Sequence, residues 1–160
     1  MTTLLSRAAL AAAAMALGLS SAHATTTATG SLAVSLQVTA SCSVGNSSLT
    51  FNQVAGGGGG RESGSGTIYV TCSNGTVYNV TLDQGSYSNM GTRRMASGGS
   101  FIAYSLYTDA AQQNPWSGTV QVTNTGTGGQ DPIPVYGQAN WTGLTTPGTY
   151  TDTVTITVSY

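Results

Sequence analysis

The side chains able to do chemistry are few in this 160-residue chain: two cysteines, Cys42 and Cys72, one histidine, His23, no lysine, and five acids, Glu62, Asp83, Asp109, Asp131 and Asp152. Acid/base and nucleophilic catalysis ordinarily join a nucleophile to a histidine, a lysine or a second carboxylate. His23 lies so near the N-terminus that it falls within a stretch expected to be removed. Two acids at a suitable separation could in principle form a glycosidase-type pair. Each acid, however, adjoins turn residues or a strand start, where carboxylates commonly cap turns or stay solvated. The chain is therefore expected not to be an enzyme, with no catalytic residue, no cofactor and no small-molecule substrate. Arg93-Arg94 could hold an anion, but a solvated pair in a loop is the expectation. Only 6% of the residues are charged, with Lys+Arg 4 against Asp+Glu 5, which argues against a nucleic-acid partner.

The cysteines take their meaning from the compartment. Met1 to Arg7 carries one positive charge, Ala8 to Leu19 is apolar, and Ala22-His23-Ala24 offers the small residues of a signal-peptidase site. Residues 1–24 read as a leader cut after Ala24; the apolar run is shorter than the roughly 20 residues that span a bilayer. In an exported protein an even cysteine count reads as a disulfide, the alternatives being a free pair or a metal site. Two cysteines without a mature histidine supply only half of a four-ligand zinc site. A bridge closing a loop of about 30 residues stabilises by roughly 3 to 4 kcal/mol in the chain-entropy model.

The elements that would position these groups are strands. Hydrophobic residues make up 39% and there are 22 glycines, a composition of short strands and turns, so the fold class expected is all-β. Leu32, Val34, Leu36 and Val38 alternate with small or polar residues and share one face of an extended segment. Ile68, Val70 and Cys72 form a second such set and Tyr78, Val80 and Leu82 a third; the turn Ser73-Asn74-Gly75 between them predicts a hairpin. Phe101 to Tyr107, Thr119 to Thr123 and Ile133 to Ala139 are further strands, with Pro132 and Pro134 placing the start of the last at a sheet edge. In the terminal segment Tyr150, Asp152, Val154, Ile156, Val158 and Tyr160 share one parity and hydroxyl residues fill the other, predicting one continuous strand. Gly56 to Gly60 reads as a flexible loop and lacks the Lys-Ser/Thr ending of a phosphate loop. Tyr69, Tyr87, Trp116 and Trp141 could stack on sugars, although aromatic residues in sandwiches more often fill the core or its ends.

Four segments carry a resemblance: Val70-Thr71-Cys72-Ser73-Asn74-Gly75-Thr76-Val77-Tyr78, Tyr104-Ser105-Leu106-Tyr107-Thr108-Asp109-Ala110-Ala111, Val135-Tyr136-Gly137, and Pro147 through Tyr160. With Cys42-Ser43-Val44-Gly45 and Trp116 they resemble the spore coat protein U family, which includes structural pilins of the archaic, Csu-type chaperone-usher pili. The resemblance covers nearly the whole mature chain, the glycine run Gly56 to Gly60 being a departure. It implies an incomplete immunoglobulin-like β-sandwich, a pilin fold completed by a donated strand. It also implies export to the periplasm and then the cell surface, with a periplasmic chaperone, an outer-membrane usher and neighbouring pilin subunits as partners, and a role in adhesion and biofilm formation.

On that resemblance residues 25–40 are expected to form an N-terminal donor segment and residues 41–160 the pilin domain. Leu32, Val34, Leu36 and Val38 would be the donor side chains, while Val154, Ile156, Val158 and Tyr160 would line the acceptor groove, since the last strand ends with the polypeptide and offers an unpaired edge. Burying the four donor residues would contribute about 6 to 12 kcal/mol before ordering costs. Pairing of Leu32 to Val38 within its own domain is the competing expectation. The length leaves room for one pilin domain, so a shaft or adaptor subunit is expected rather than a tip adhesin. A non-polymerising secreted coat or surface protein and a carbohydrate-binding module are the alternatives.

Overall fold

The computed structural model describes residues 25–160; the expected leader, residues 1–24, lies outside the described residues. The chain divides into a unit ending at Leu36 and a unit Gln37–Tyr160. All regular structure described belongs to the second: β1 (Cys42–Val44), β2 (Leu49–Phe51), β3 (Gly60–Cys72), β4 (Val77–Leu82), β5 (Arg93–Ser97), β6 (Ser100–Tyr107), β7 (Val122–Thr125), β8 (Gln130–Trp141) and β9 (Ile156–Ser159). The architecture is all-β. One sheet has the order β1-β3-β8-β6-β5 with β2 also on β3, and the other has the order β7-β4-β9.

Alternation of burial explains why these segments are strands. Along β8, Asp131, Ile133, Val135, Gly137 and Ala139 are buried while Pro132, Pro134 and Asn140 are exposed, the period of two that lets one face meet a core. Ile68, Val70 and Cys72 of β3 do the same opposite Tyr78, Val80 and Leu82 of β4, and Trp116 completes the interior. Pro132 and Pro134 occupy the stretch of β8 that pairs with β3 alone, because β6 reaches only from Tyr136 to Asn140. Tyr69, opposite Pro132, turns its carbonyl to Gly45, so this pair exchanges no ladder bond and the missing proline N–H faces the open side.

Three sequence expectations are corrected. The predicted hairpin of β3 and β4 does not form: β3 pairs with β1, β2 and β8, whereas β4 pairs with β7 and β9. The connection Ser73–Thr76, with Gly75 at φ +78, carries the chain from one sheet to the other. Two apolar faces of similar width bury each other by stacking; side by side in one sheet, both would still need a cover. The strand predicted over Thr119 to Thr123 is shifted to Val122–Thr125, where the ladder to β4 begins. Regular pairing in the terminal segment is confined to Ile156–Ser159, because its partner changes along the way. Thr151 exchanges both backbone bonds with Ala96 of β5, Thr153 and Thr155 accept from Ser86 and Asp83, and only then does the chain join β4. This segment thereby crosses from the margin of one sheet to the edge of the other.

Candidate functional site

β1 and β2 lie along the same edge of β3, and β9 ends the smaller sheet, so two strand edges border a seam along the sandwich. Between β2 and the segment leading into β9 the seam opens as a cleft of about 830 Å³. Its floor is apolar, formed by Ile68, Val135, Ala139, Leu106 and Leu82. Leu49 and Phe51 form one wall and Val154 and Ile156 the other, and these four are only partly buried although they pack on the core. The cleft is the unfilled margin of the core rather than a separate surface feature.

Glycine sets the first wall. A Cβ on Gly66 would lie 2.3 Å from the Ser48 carbonyl oxygen, and one on Gly64 would lie 2.5 Å from that of Thr50. A side chain on Gly137 would meet the Phe51 ring and Leu49 at about 3 Å. β2 can lie this close to the sheet only because three facing positions lack side chains.

The second wall is set by parity. Thr151, Thr153, Thr155 and Thr157 turn their backbone groups toward β5, the Ser86 loop and β4. The intervening residues must turn theirs the other way, and the amide and carbonyl of Val154 have no hydrogen-bond partner among the described residues. A free strand edge thus borders an apolar trough. An extended peptide supplies what this arrangement lacks: a ladder for the edge and alternate apolar side chains for the floor.

Polar groups brace this wall. The Tyr104 hydroxyl donates to Asp152 Oδ2 at 2.7 Å and the Ser86 amide donates to Oδ1 at 2.9 Å. Burial, reinforced by Asp152, pushes the Tyr104 phenol well above its usual value. Arg93 is only 5% exposed, and its guanidinium donates to the carbonyls of Asp83 at 2.8 Å, Trp116 at 2.8 Å and Leu82 at 3.2 Å. Burial lowers its pKa, against the opposing pull of Tyr104, Asp83 and Asp152. The expectation of a solvated Arg93-Arg94 pair is thus corrected for Arg93: buried carbonyls need donors more than the cation needs water. Arg94 remains near the surface, stacked over the Phe101 ring at 4.3 Å and bonded to the Tyr87 carbonyl.

The acids are committed to local structure. Asp83 accepts from the amides of Gly85 and Thr155, Asp109 from those of Gln113 and Asn114, and Asp131 from the Thr127 hydroxyl. Glu62 accepts from Asn52. Cys42 and Cys72 are joined as a disulfide across directly opposed positions of β1 and β3.

The donor candidates Leu32, Val34, Leu36 and Val38 are 88, 85, 88 and 84% exposed and belong to no strand. Val154 and Ile156 border the cleft; Val158 packs on the core beyond it, and Tyr160 is largely exposed. Of the aromatic residues, Trp116 is fully buried while Tyr69 and Tyr87 are partly exposed. The first wall escaped the sequence reading, although Leu49-Thr50-Phe51 alternates and the spaced glycines opposite it were a signal.

The profile of the Spore Coat Protein U domain spans residues 28–157. The chain belongs to the Spore Coat Protein U domain family. No curated protein sequence matches it. Among solved structures, this Spore Coat Protein U domain is similar to a chain in the CsuC-CsuE chaperone-tip adhesion subunit pre-assembly complex from archaic chaperone-usher Csu pili of Acinetobacter baumannii. The match has 22% identity and a TM-score of 0.57, and it covers 77% of this chain and 40% of that one. A chaperone-tip adhesin complex of CFA/I fimbriae matches at 13% identity and a TM-score of 0.41, over 70% of this chain and 38% of that one. The first likeness shows a shared fold; the second is too distant to carry an argument. The domain spans well under half the length of either matched chain.

Proposed function

We propose that this Spore Coat Protein U domain is a pilin-type structural subunit of a chaperone-usher surface fibre that assembles by donor-strand exchange. The observation that carries this is the apolar cleft beside the unpaired edge at Val154, together with an exposed alternating segment, Leu32 to Val38, of the form that would fill it. A periplasmic chaperone would first lend a strand, and an usher in the outer membrane would exchange it for residues 25–40 of a neighbouring subunit. The fibre would then serve adhesion and biofilm formation. Capping acids and a bridged cysteine pair suit a structural role.

The test compares two charges one residue apart. Leu36→Arg places an unpaired cation in an apolar trough, at a cost of several kcal/mol, whereas Gln37→Arg lies on the solvent side of the same strand. On a gel run without boiling, the Leu36→Arg subunit should lose its ladder of denaturation-resistant oligomers while still forming a chaperone complex, and Gln37→Arg should keep the ladder. If both variants polymerise like the parent, Leu32 to Val38 is not the donor.

A further inference from the structure

On the outer face of the larger sheet, one row across four strands carries two arginines. Arg61 of β3 is opposite Asn140 of β8, Asn140 is opposite Ala103 of β6, and Ala103 is opposite Arg94 of β5. Directly opposed residues share a face. Their neighbours along the strands, Ala139, Tyr104 and Arg93, are buried, so all four of the row turn outward. Three strand spacings separate the arginines, about 14 Å at the backbone. The cationic side chains of the described residues are these two and the buried Arg93. All the positive charge that side chains leave in reach of solvent therefore lies on one row.

Both cations are available to an anion. Arg94 Nε donates to the Tyr87 carbonyl at 2.9 Å, and the guanidinium lies 4.3 Å from the centroid of the Phe101 ring. These contacts fix its plane, while its two terminal amino groups have no hydrogen-bond partner among the described residues. A held guanidinium with a free fork matches a carboxylate through two parallel bonds. Arg61 is exposed and makes no side-chain hydrogen bond among the described residues. No acid stands on the row to neutralise either one. Glu62, beside Arg61, turns to the cleft side of the sheet, where it accepts from Asn52 at 2.7 Å.

The surface around the arginines has the groups that bind sugars. Ala103 keeps the middle of the row low, and Asn140 presents an exposed amide beside it. The next outward row, Ser63-Gln138-Ser105, adds hydroxyls and a second amide. Gln112, at φ +56, lies across that row, donating to Ser63 Oγ at 3.0 Å and accepting from Gln138 Nε2 at 2.7 Å. On the other side Phe101 and Tyr87 are 45 and 44% exposed and offer ring surface to a sugar's C–H face. Two cations with an uncharged polar stretch between them fit a polymer whose carboxylates are spaced apart. A duplex nucleic acid, with a charge about every 1.7 Å, needs many more cations than two. The domain's own acids already accept hydrogen bonds from within the fold, so a second copy holds no idle carboxylate to offer.

We infer that the row Arg61-Asn140-Ala103-Arg94 binds a carboxylated polysaccharide of the uronic-acid type, lying across the strands with one carboxylate on each arginine. The row belongs to the domain's own fold, so the site stands whether or not the domain donates a strand. In a fibre it would repeat once per subunit, and avidity would strengthen a contact that is weak singly.

The experiment immobilises the mature, oxidised chain in whichever assembly it is isolated. Binding is measured for polygalacturonate, for its fully methyl-esterified form and for duplex DNA, at low and at physiological salt. The parent should bind polygalacturonate at least about tenfold more tightly than the ester, which keeps the sugar chain and loses the charge, and more tightly than DNA, and salt should weaken the binding. R61Q and R94Q should each weaken it roughly fivefold, and the double variant by about the product of the two, since the positions are too far apart to couple. R94K keeps the charge without the fork and should behave like R94Q. R61Q removes no hydrogen bond of the domain, so its loss of binding is read independently of any effect of R94Q on the fold. A double variant that binds like the parent, or a parent that binds no polygalacturonate, overturns the site. Equal binding of the ester removes the carboxylate from the assignment, and DNA bound as tightly as polygalacturonate replaces the polysaccharide site with an unselective polyanion surface; either result overturns the inference.

Discussion

Arg93 ties β5 to two other segments, since the carbonyls it satisfies belong to Leu82-Asp83 at the end of β4 and to the Trp116 loop. Replacement by methionine keeps much of the apolar stem but strands these acceptors, at a cost of about 1–3 kcal/mol for each buried group left unpaired. Denaturant titration of the strand-filled subunit should show Arg93→Met destabilised by at least about 2 kcal/mol and Arg94→Met by much less. Neighbouring Asp83 carries a pH signature. Partial burial pushes its pKa up, but hydrogen bonds from Thr155 and Gly85, with Arg93 nearby, outweigh that and hold it below the ordinary value of 3.8. A depressed folded-state pKa stabilises fully above the unfolded value and loses that contribution as pH falls through the folded one. The stability gap between the parent and Asp83→Asn should therefore be widest near neutral pH and close as melting is measured at pH values successively below 3.8. The turn-capping role of Asp83 and Asp109 was legible because Asp beside Gly, Asn and Gln is itself a local signal, whereas Asp152, bound by Ser86 and Tyr104 from distant segments, departs from that expectation. Arg93 was not legible, because its partners are main-chain carbonyls distant in sequence and no residue type advertises a carbonyl.

The strands read correctly were those whose alternation reports burial directly, such as Ile133 to Ala139 and Tyr78 to Leu82. What alternation does not encode is which strand lies beside which. Ile68-Tyr69-Val70 and Tyr78-Asn79-Val80 have the same period whether they share a sheet or face each other, and a turn containing Asn-Gly suits either connection, so the hairpin was the wrong inference from a correct pattern. The first half of β3, Gly60 to Gly66, escaped for the opposite reason: its core-side positions hold glycine, and what they accommodate is β2. That dependence can be tested at Gly66, where a methyl group would fall against the Ser48 carbonyl. Gly66→Ala should displace β2 and cost about 1–3 kcal/mol in the strand-filled subunit, and it should weaken donor binding by moving the wall that Leu49 and Phe51 provide. Gly58→Ala, where nothing lies within 4 Å of the added carbon, should leave both quantities within about 0.5 kcal/mol. Equal behaviour of the two variants in a melt and in peptide binding would show that β2 tolerates a side chain beneath it.

For the molecule as a whole, the cleft divides stability into what the chain holds alone and what, on the proposed function, a donated strand would add. The disulfide fastens β1 to β3, and Val70, Val80, Tyr78 and Trp116 form a closed interior. Leu49, Phe51, Met95, Ile102, Val154 and Ile156 instead border the cleft with their burial incomplete. Natural domains are stable by only about 5–15 kcal/mol, so a margin of six half-covered apolar residues and one unpaired edge is a large deficit. It also exposes the two features that drive association, an apolar trough and a strand edge. The mature subunit produced alone in an oxidising periplasm should therefore accumulate poorly and bind a hydrophobic dye, although its disulfide can form. On the proposed function, co-production with a periplasmic chaperone should give a soluble one-to-one complex that no longer binds the dye, because a lent strand would cover the trough and pair the edge together. Size-exclusion chromatography with dye fluorescence reads both properties in the same samples. A subunit that elutes as a dye-silent monomer and melts cooperatively without any partner would instead be a self-contained coat protein, its cleft a surface furrow with no strand to receive.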